Sequence, residues 1–181
     1  MSAKWRLVNM RGKLERFARR SASSGFTLIE LMVTISIAAI VLMMAVPSFS
    51  AAMLSNRLTG FANTFVASAQ LARSEAIKRN AAVTLCRSAN GTTCATSGGW
   101  EQGWVILAGT SLIQTQAALT SGYKLSGGSG SLSFPASGVG FTAITLTLCR
   151  ATPQAGSQER VININATGRT SVTKTTAGVC A

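Results

Sequence analysis

The stretch Ser24-Gly25-Phe26-Thr27-Leu28-Ile29-Glu30 begins an apolar run that continues to Val46 and is closed by Pro47. From Phe26 to Val46 the run contains 21 residues, of which only Glu30 is charged. As a helix with a rise of about 1.5 Å per residue it is roughly 30 Å long, which matches the hydrocarbon thickness of a bilayer. The sequence therefore predicts a membrane-spanning helix with one carboxylate near its beginning.

The segment before this run is strongly basic. Residues 1–25 contain seven of the 17 lysines and arginines of the chain, against one acidic residue, Glu15. Because basic flanks stay on the cytoplasmic side, we expect the part after the helix to be periplasmic. In a secretory signal the apolar region precedes the cleavage site. Here the small residue Gly25 precedes the apolar region, so a cut after Gly25 would leave the helix on the mature chain.

The composition describes one small basic domain beyond the helix. The chain has 181 residues and a net charge of +12. Without Glu30, the part after Gly25 still has ten basic and three acidic residues. A basic balance favours an anionic partner such as nucleic acid or a lipid surface, and a solvated basic surface explains it equally well.

The chain has four cysteines and no histidine. An even number of cysteines in a translocated domain predicts two disulfides. Zinc is the alternative, and without histidine it needs all four thiolates. Spacing and chain position predict the pairs Cys86–Cys94, around a turn at Asn90-Gly91, and Cys149–Cys180, although four cysteines allow three connectivities.

After Pro47 the pattern changes from a continuous apolar run to one apolar helical face and then to short strands. The face comprises Leu54, Leu58, Phe61, Phe65, Ala69, Ala72 and Ala76. We expect one helix from Phe26 to about Asn80, bent near Pro47. Strands are expected at 82–86, 104–107, 111–114, 131–134, 144–148 and 160–164. This order predicts an α+β fold with antiparallel sheet packed on the helix.

The segment from Gly25 to Val33 resembles the class III signal of type IV prepilins and type II secretion pseudopilins. The resemblance implies that a prepilin peptidase cuts after Gly25 and methylates Phe26. It also implies that Glu30 pairs with the amino terminus of a neighbouring subunit during assembly. The alternative for Glu30 is a shallow position from which it reaches the lipid headgroups.

Downstream segments resemble the GspH/FimT (FimT/FimU-like) group of minor pilins. They are residues 72–79, 83–88 with Cys94, 100–104, and 167–169 with Cys180 near the end. This group implies a type IV pilin-like fold with three parts: a cleaved leader (1–25), a transmembrane and assembly helix (26–53) and a periplasmic domain (54–181). It further implies a minor pilin that is incorporated at or near the pilus tip and promotes assembly with other major and minor pilins. Such a chain passes from the inner membrane to an extracellular filament. A minor pseudopilin of type II secretion is the related alternative.

Catalysis is not expected from this composition. Outside the leader and Glu30, the acidic residues are Glu75, Glu101 and Glu159, and none is spaced as a general acid–base pair. No phosphate-binding glycine motif and no histidine are present, so we expect no enzyme activity, cofactor or metal.

Arg160, Arg169 and Lys174 are the candidate residues for binding duplex DNA. In the FimT branch, minor pilins with a Gly-Arg-x-Arg motif bind DNA during natural transformation. Gly168 and Arg169 match the first half of that motif, whereas Ser171 occupies the second arginine position. The alternative is a solvated turn. With no aromatic residue nearby, any DNA contact is expected to be phosphate-driven and salt-sensitive.

Overall fold

The computed structural model describes residues 25–153, 155–177 and 180, which fall into two units, one ending at Leu42 and one beginning at Met43. Helix α1 spans Leu28–Arg79, and a short 3-10 helix spans Trp100–Gln102. The strands are β1 Val83–Arg87, β2 Trp104–Ala108, β3 Ser111–Gln116, β4 Tyr123–Ser126, β5 Ser131–Phe134, β6 Ile144–Arg150, β7 Glu159–Ile164 and β8 Thr170–Thr175. The α+β prediction is confirmed.

Helix α1 extends through Pro47, so the proline does not end it. A bend at this residue stays a prediction. The helix ends in a Schellman motif: Asn80 adopts φ 49°, its N–H donates to Ile77, and the N–H of Ala81 donates to Ala76. In the last turn Arg79 Nε donates to Glu75 at 2.7 Å. This hydrogen bond lowers the pKa of the Glu75 carboxyl, and the charge of Lys78 acts in the same direction.

The strands form two antiparallel four-stranded sheets. The first has the order β3-β2-β1-β5 and the second has the order β4-β6-β7-β8. Strand β4 was missed by the sequence prediction, because its four residues lie between glycine-rich turns and show too short an alternation. Strand β8 was expected only as a final strand without bounds. The remaining predicted strands are present with ends that differ by up to two residues.

One face of α1 packs against the core of both sheets. Its fully or nearly fully buried residues are Leu54, Leu58, Ala62, Phe65, Ala69, Ala72 and Ala76. The predicted face contained Phe61 instead of Ala62. Phe61 is half-buried at the margin, where its ring meets Tyr123 edge-on at 5.1 Å. Phe65 is central, because its ring lies 5.2 Å from Trp100 and 5.3 Å from Trp104.

The one polar residue within this face is paired. Ser68 is buried, and its hydroxyl accepts a hydrogen bond from the Trp104 indole at 2.9 Å. The pair satisfies a donor that burial would otherwise leave without a partner. It also fixes β2 along the helix.

Candidate functional site

The first functional region is the beginning of α1. Thr27 is the N-cap, since its hydroxyl accepts the N–H of Glu30 at 3.2 Å. Thr27 and Glu30 thus have the spacing of a capping box, in which a glutamate at the third helical position supports the cap. The carboxylate of Glu30 also lies where the helix macrodipole favours negative charge. Glu30 thus occupies the third helical position, a placement that sequence reasoning missed although the Thr-x-x-Glu spacing encodes it.

Residues 25–46 have no buried side chain. Phe26 is 78% exposed, and the large apolar residues that follow are exposed around the whole helix. The hydroxyl groups of Thr34 and Ser36 are satisfied within the helix, because Thr34 donates to the carbonyl of Leu31 and Ser36 to that of Met32. Within the described residues, α1 is the one helix long and apolar enough to cross a membrane, with a mean hydropathy of 2.5 over its best window.

The second candidate region was the set of basic residues near the C-terminus, and the structure separates its members. Arg160 is 6% exposed. Its guanidinium donates to the Ser55 hydroxyl at 2.8 Å and to the Thr59 hydroxyl at 3.2 Å, both on α1. Further bonds go to Gln158 and to the carbonyl of Glu159. In contrast to our expectation, Arg160 holds β7 to the helix and does not face a nucleic acid, because it projects from the inner face of its strand.

Arg169 is exposed at the end of the turn between β7 and β8. The Asn165 carboxamide organises this turn: its oxygen accepts the N–H groups of Thr167 at 3.1 Å and Arg169 at 2.9 Å. Gly168 closes the turn with φ 81°, and its N–H donates to the Asn165 carbonyl. The turn presents Arg169 in one fixed backbone conformation.

Helix α1 supports the same turn from behind. The Arg73 guanidinium donates to the Gly138 carbonyl at 2.8 Å and lies against Gly168, where a Cβ atom would come within 2.6 Å of Arg73 Cζ. Gln70 donates to Thr170 at 3.2 Å. Glycine is thus favoured at Gly168 for two reasons: the backbone has a positive φ, and the Arg73 side chain occupies the space that a Cβ atom would need.

Lys174 and Ser171 are both exposed on β8. Lys174 lies opposite Arg160 in the strand register, and Ser171 lies opposite Asn163. Five residues along a strand separate Lys174 from Arg169 by roughly 17 Å. The turn therefore presents one cation, Arg169, on a fixed backbone, and the second cation, Lys174, lies well away from it on β8.

Both expected disulfides are present, Cys86–Cys94 and Cys149–Cys180, with Cα–Cα distances of 5.4 Å and 5.6 Å. The segment that follows Cys94 is held by Arg87, whose guanidinium donates to the carbonyls of Gly98 at 2.7 Å and Thr96 at 2.9 Å. In the described part of the chain, no cluster of side chains has the composition of a metal site.

A family model described as type II transport protein GspH matches residues 62–168. The chain belongs to the GspH family. A second model, for the prokaryotic N-terminal methylation motif, matches residues 20–46. The GspH model therefore covers the last part of α1 and the strands from β1 to β7. The methylation-motif model covers Thr27, Glu30 and the apolar run.

Solved structures share the fold of this GspH-family chain. The type IV minor pilin FimU of Pseudomonas aeruginosa matches in two crystal forms. The match to the P21 form has a TM-score of 0.52 and 22% identity, and it covers 66% of this chain and 90% of FimU. The match to the P65 form has a TM-score of 0.50 and 23% identity, and it covers 64% of this chain and 92% of FimU. The minor pseudopilin EpsH of the Vibrio cholerae type 2 secretion system has TM-score 0.46 and 15% identity, covering 65% and 96%. At the identities of the FimU matches the likeness shows the fold, which is type IV pilin-like. No curated protein matches the chain.

Two arginines of this GspH-family domain were not singled out from the sequence. Arg57 on α1 and Arg150 at the end of β6 line an open cavity of about 320 Å³ together with Phe49, Met53 and Tyr123. Their sequence separation hides this juxtaposition, since only the packing of the second sheet on α1 creates it.

The support of the turn by Arg73 gives a testable prediction. Gly168→Ala is expected to lower the free energy of unfolding by about 2–3 kcal/mol, because the strained φ adds to the disturbed Arg73 hydrogen bond. Gly140→Ala is the matched control: its φ is 87°, with nothing within 4 Å of an added Cβ, so only backbone strain of about 1 kcal/mol applies. Urea unfolding of residues 50–181, followed by tryptophan fluorescence, measures both. An equal loss of unfolding free energy in the two variants would show that the Arg73 side chain moves away from the added methyl group without an energetic cost.

Proposed function

We propose that the chain is a minor pilin of a type IV pilus, incorporated at or near the tip, where it promotes assembly. The observation that carries the proposal is the methylation motif on a helix whose first 19 described residues, Leu28–Val46, bury no side chain in their own chain. A surface of this kind needs lipid before assembly and other subunits afterwards. The pilin-like fold of the remainder supports the same role.

The proposed maturation divides the chain into the leader (1–25), the membrane and assembly helix (26–53) and the periplasmic domain (54–181). Prepilin peptidase cuts between Gly25 and Phe26 and methylates Phe26. Both residues are exposed ahead of the helix, and Gly25 has open space around its α-carbon. The chain is then anchored in the inner membrane by one span until it enters the extracellular filament.

Processing gives the first test of this proposal. Coexpression of the full chain with a prepilin peptidase is expected to yield a mature form that begins with N-methylated Phe26, as read by mass spectrometry of its N-terminal peptide. Without the peptidase, the leader is expected to remain. A mature chain that begins at any other residue would contradict the proposed processing.

Glu30 has two separable roles in this proposal. The capping role belongs to the single chain and rests on the capping-box spacing of Thr27 and Glu30, in which the side chain at the third helical position supports the cap. The assembly role needs a negative charge, which pairs with the amino terminus of a neighbouring pilin. A buried carboxylate without a cation is costly in a membrane, so this pairing favours the assembled state.

Substitution by glutamine distinguishes the two roles, since glutamine also completes a capping box but has no charge. We expect Glu30→Gln and Glu30→Ala to insert and to be processed normally, and both to be lost from sheared filaments, as measured by immunoblot. Ser36→Ala is the control, because this serine bonds only to its own helix. Normal incorporation of the glutamine variant, with loss of the alanine variant, would assign Glu30 to capping alone.

The related alternative is a minor pseudopilin, which the description of the family model favours. Deletion of the gene distinguishes the two systems. We expect loss of surface pili with unchanged secretion of exported enzymes. The reverse result would place the chain in type II secretion.

The second candidate function is a pilus-borne receptor for duplex DNA during natural transformation. The specific observation in its favour is the fixed, exposed position of Arg169 on the turn. Lys174 supplies a second exposed cation on the adjoining strand. With two phosphate contacts at most, the affinity should be weak and should fall with salt with a logarithmic slope of about two.

A titration of residues 50–181 with duplex DNA at two salt concentrations tests this function. Arg169→Ala is expected to reduce the slope by about one, because one phosphate contact is lost. Lys124→Ala is the control, since Lys124 is exposed on β4, at the opposite edge of the same sheet. Absence of binding at low salt, or equal effects of both variants, would reject the receptor role.

A further inference from the structure

The cavity between α1 and the end of β6 has one apolar wall and one cationic wall. Phe49 and Met53 are 69% and 43% exposed. Arg57 follows one helical turn after Met53, and Arg150 approaches from the sheet. Side chains on a helix lean toward its N-terminus, so Arg57 extends back over Met53 toward the apolar residues.

The cavity lies where the exposed surface of α1 changes from apolar to polar. The apolar residues Met44, Val46 and Phe49 are exposed with Ser48 and Ser50 among them, and residues 55–57 are all polar. At about 1.5 Å per residue, Arg57 lies roughly 12 Å beyond Phe49 along the helix. With its side chain leaning back, its guanidinium reaches the depth of the headgroup layer of a bilayer whose hydrocarbon region ends near the exposed ring of Phe49.

Other basic residues surround this end of the domain. Gln158 bonds to the carbonyl of Ala51, and Arg160 bonds to Ser55, so the start of β7 lies level with the cavity. Four of the ten basic residues after Gly25 reach the surface at this end by contact or strand register: Arg57, Lys124, Arg150 and Lys174. A fifth, Arg160, is buried and bonded to α1. The acidic residue at this end is Glu159, which is buried and accepts a bond from Thr175.

We propose that this cavity binds the phosphate of an anionic phospholipid headgroup of the membrane that the helix spans. Arginine guanidinium groups bind phosphate oxygens through paired, charge-assisted hydrogen bonds. Phe49 and Met53 lie against the upper acyl chain, and the surrounding basic residues add electrostatic attraction to the anionic surface. The bound lipid holds the domain on the membrane before assembly. The inference rests on the proposed membrane anchoring and is independent of the choice between pilus and secretion system.

Lipid retention by the full chain tests the inference. The chain is reconstituted in nanodiscs of equal parts phosphatidylcholine and phosphatidylglycerol, extracted in mild detergent, and the lipids retained per chain are counted by native mass spectrometry. We expect phosphatidylglycerol to be retained preferentially. Arg57→Gln and Arg150→Gln should each reduce the preference about five-fold, which is the effect of one basic residue near an anionic surface.

The control variant is Lys78→Gln, which removes a cation that is 76% exposed at the other end of α1. This residue is roughly 30 Å from Arg57 along the helix, so the preference for phosphatidylglycerol should not change.

Equal retention of the two lipids, or equal effects of all three substitutions, would overturn the inference. Displacement of the lipid by excess inorganic phosphate, with phosphate also retained in pure phosphatidylcholine discs, would assign the cavity to free phosphate and overturn it as well. Failure of the chain to insert into nanodiscs would contradict the proposed anchoring.

Discussion

The domain depends on one packing contact, in which a single face of α1 covers the inner faces of two sheets. The alanines of that face, Ala62, Ala69, Ala72 and Ala76, are all buried. Leu58 is buried with them, and the Phe65 ring packs between Trp100 and Trp104. Each four-stranded sheet has one apolar face and needs a second layer, and the helix is the layer that both share. The buried cluster that the helix shares with the sheets includes Leu85, Ile106 and Phe134 from the first sheet and Leu146, Ile162 and Ile164 from the second.

This packing also decides which charges reach solvent. Arg160 lies on the inner face of β7, opposite Leu148, and is therefore drawn into the contact with α1. A buried guanidinium loses its hydration, and the bonds to Ser55, Thr59 and Gln158 replace it. The Arg87 guanidinium is likewise bonded to backbone carbonyls of the segment that follows Cys94. The basic balance of the sequence thus overstates the charge that is available to a partner.

The spacing of apolar residues predicted the long helix and its buried face. It failed where two neighbouring residues could each take the same buried position. The spacing from Leu54 to Ala76 was enough to predict the buried face, but it could not choose between Phe61 and Ala62, because only the position of Tyr123 decides which of them meets the sheet edge. The disulfide pairing followed from chain position, since each pair joins segments that the fold brings together. At the candidate site, the motif predicted the processing residues and Glu30. The burial of Arg160 and the meeting of Arg57 with Arg150 depend on tertiary packing and leave no local pattern.

The two parts of α1 differ in where their partners lie. From Leu54 onward the helix is covered by its own sheets, whereas residues 28–46 are uncovered, so we expect changes at Glu30 to leave the domain core intact. Cleavage after Gly25, as proposed, turns the Phe26 nitrogen into a cation at the N-terminus of a helix, where the macrodipole disfavours it. Glu30 lies roughly 6 Å further along the axis and compensates that charge within the same chain. In the proposed filament the Glu30 carboxylate gains a second cation, the amino terminus of a neighbouring subunit, which favours assembly. Packing of the uncovered apolar surface against other subunits adds to this pairing, and the charge pair selects the register in which the subunits of the proposed filament meet.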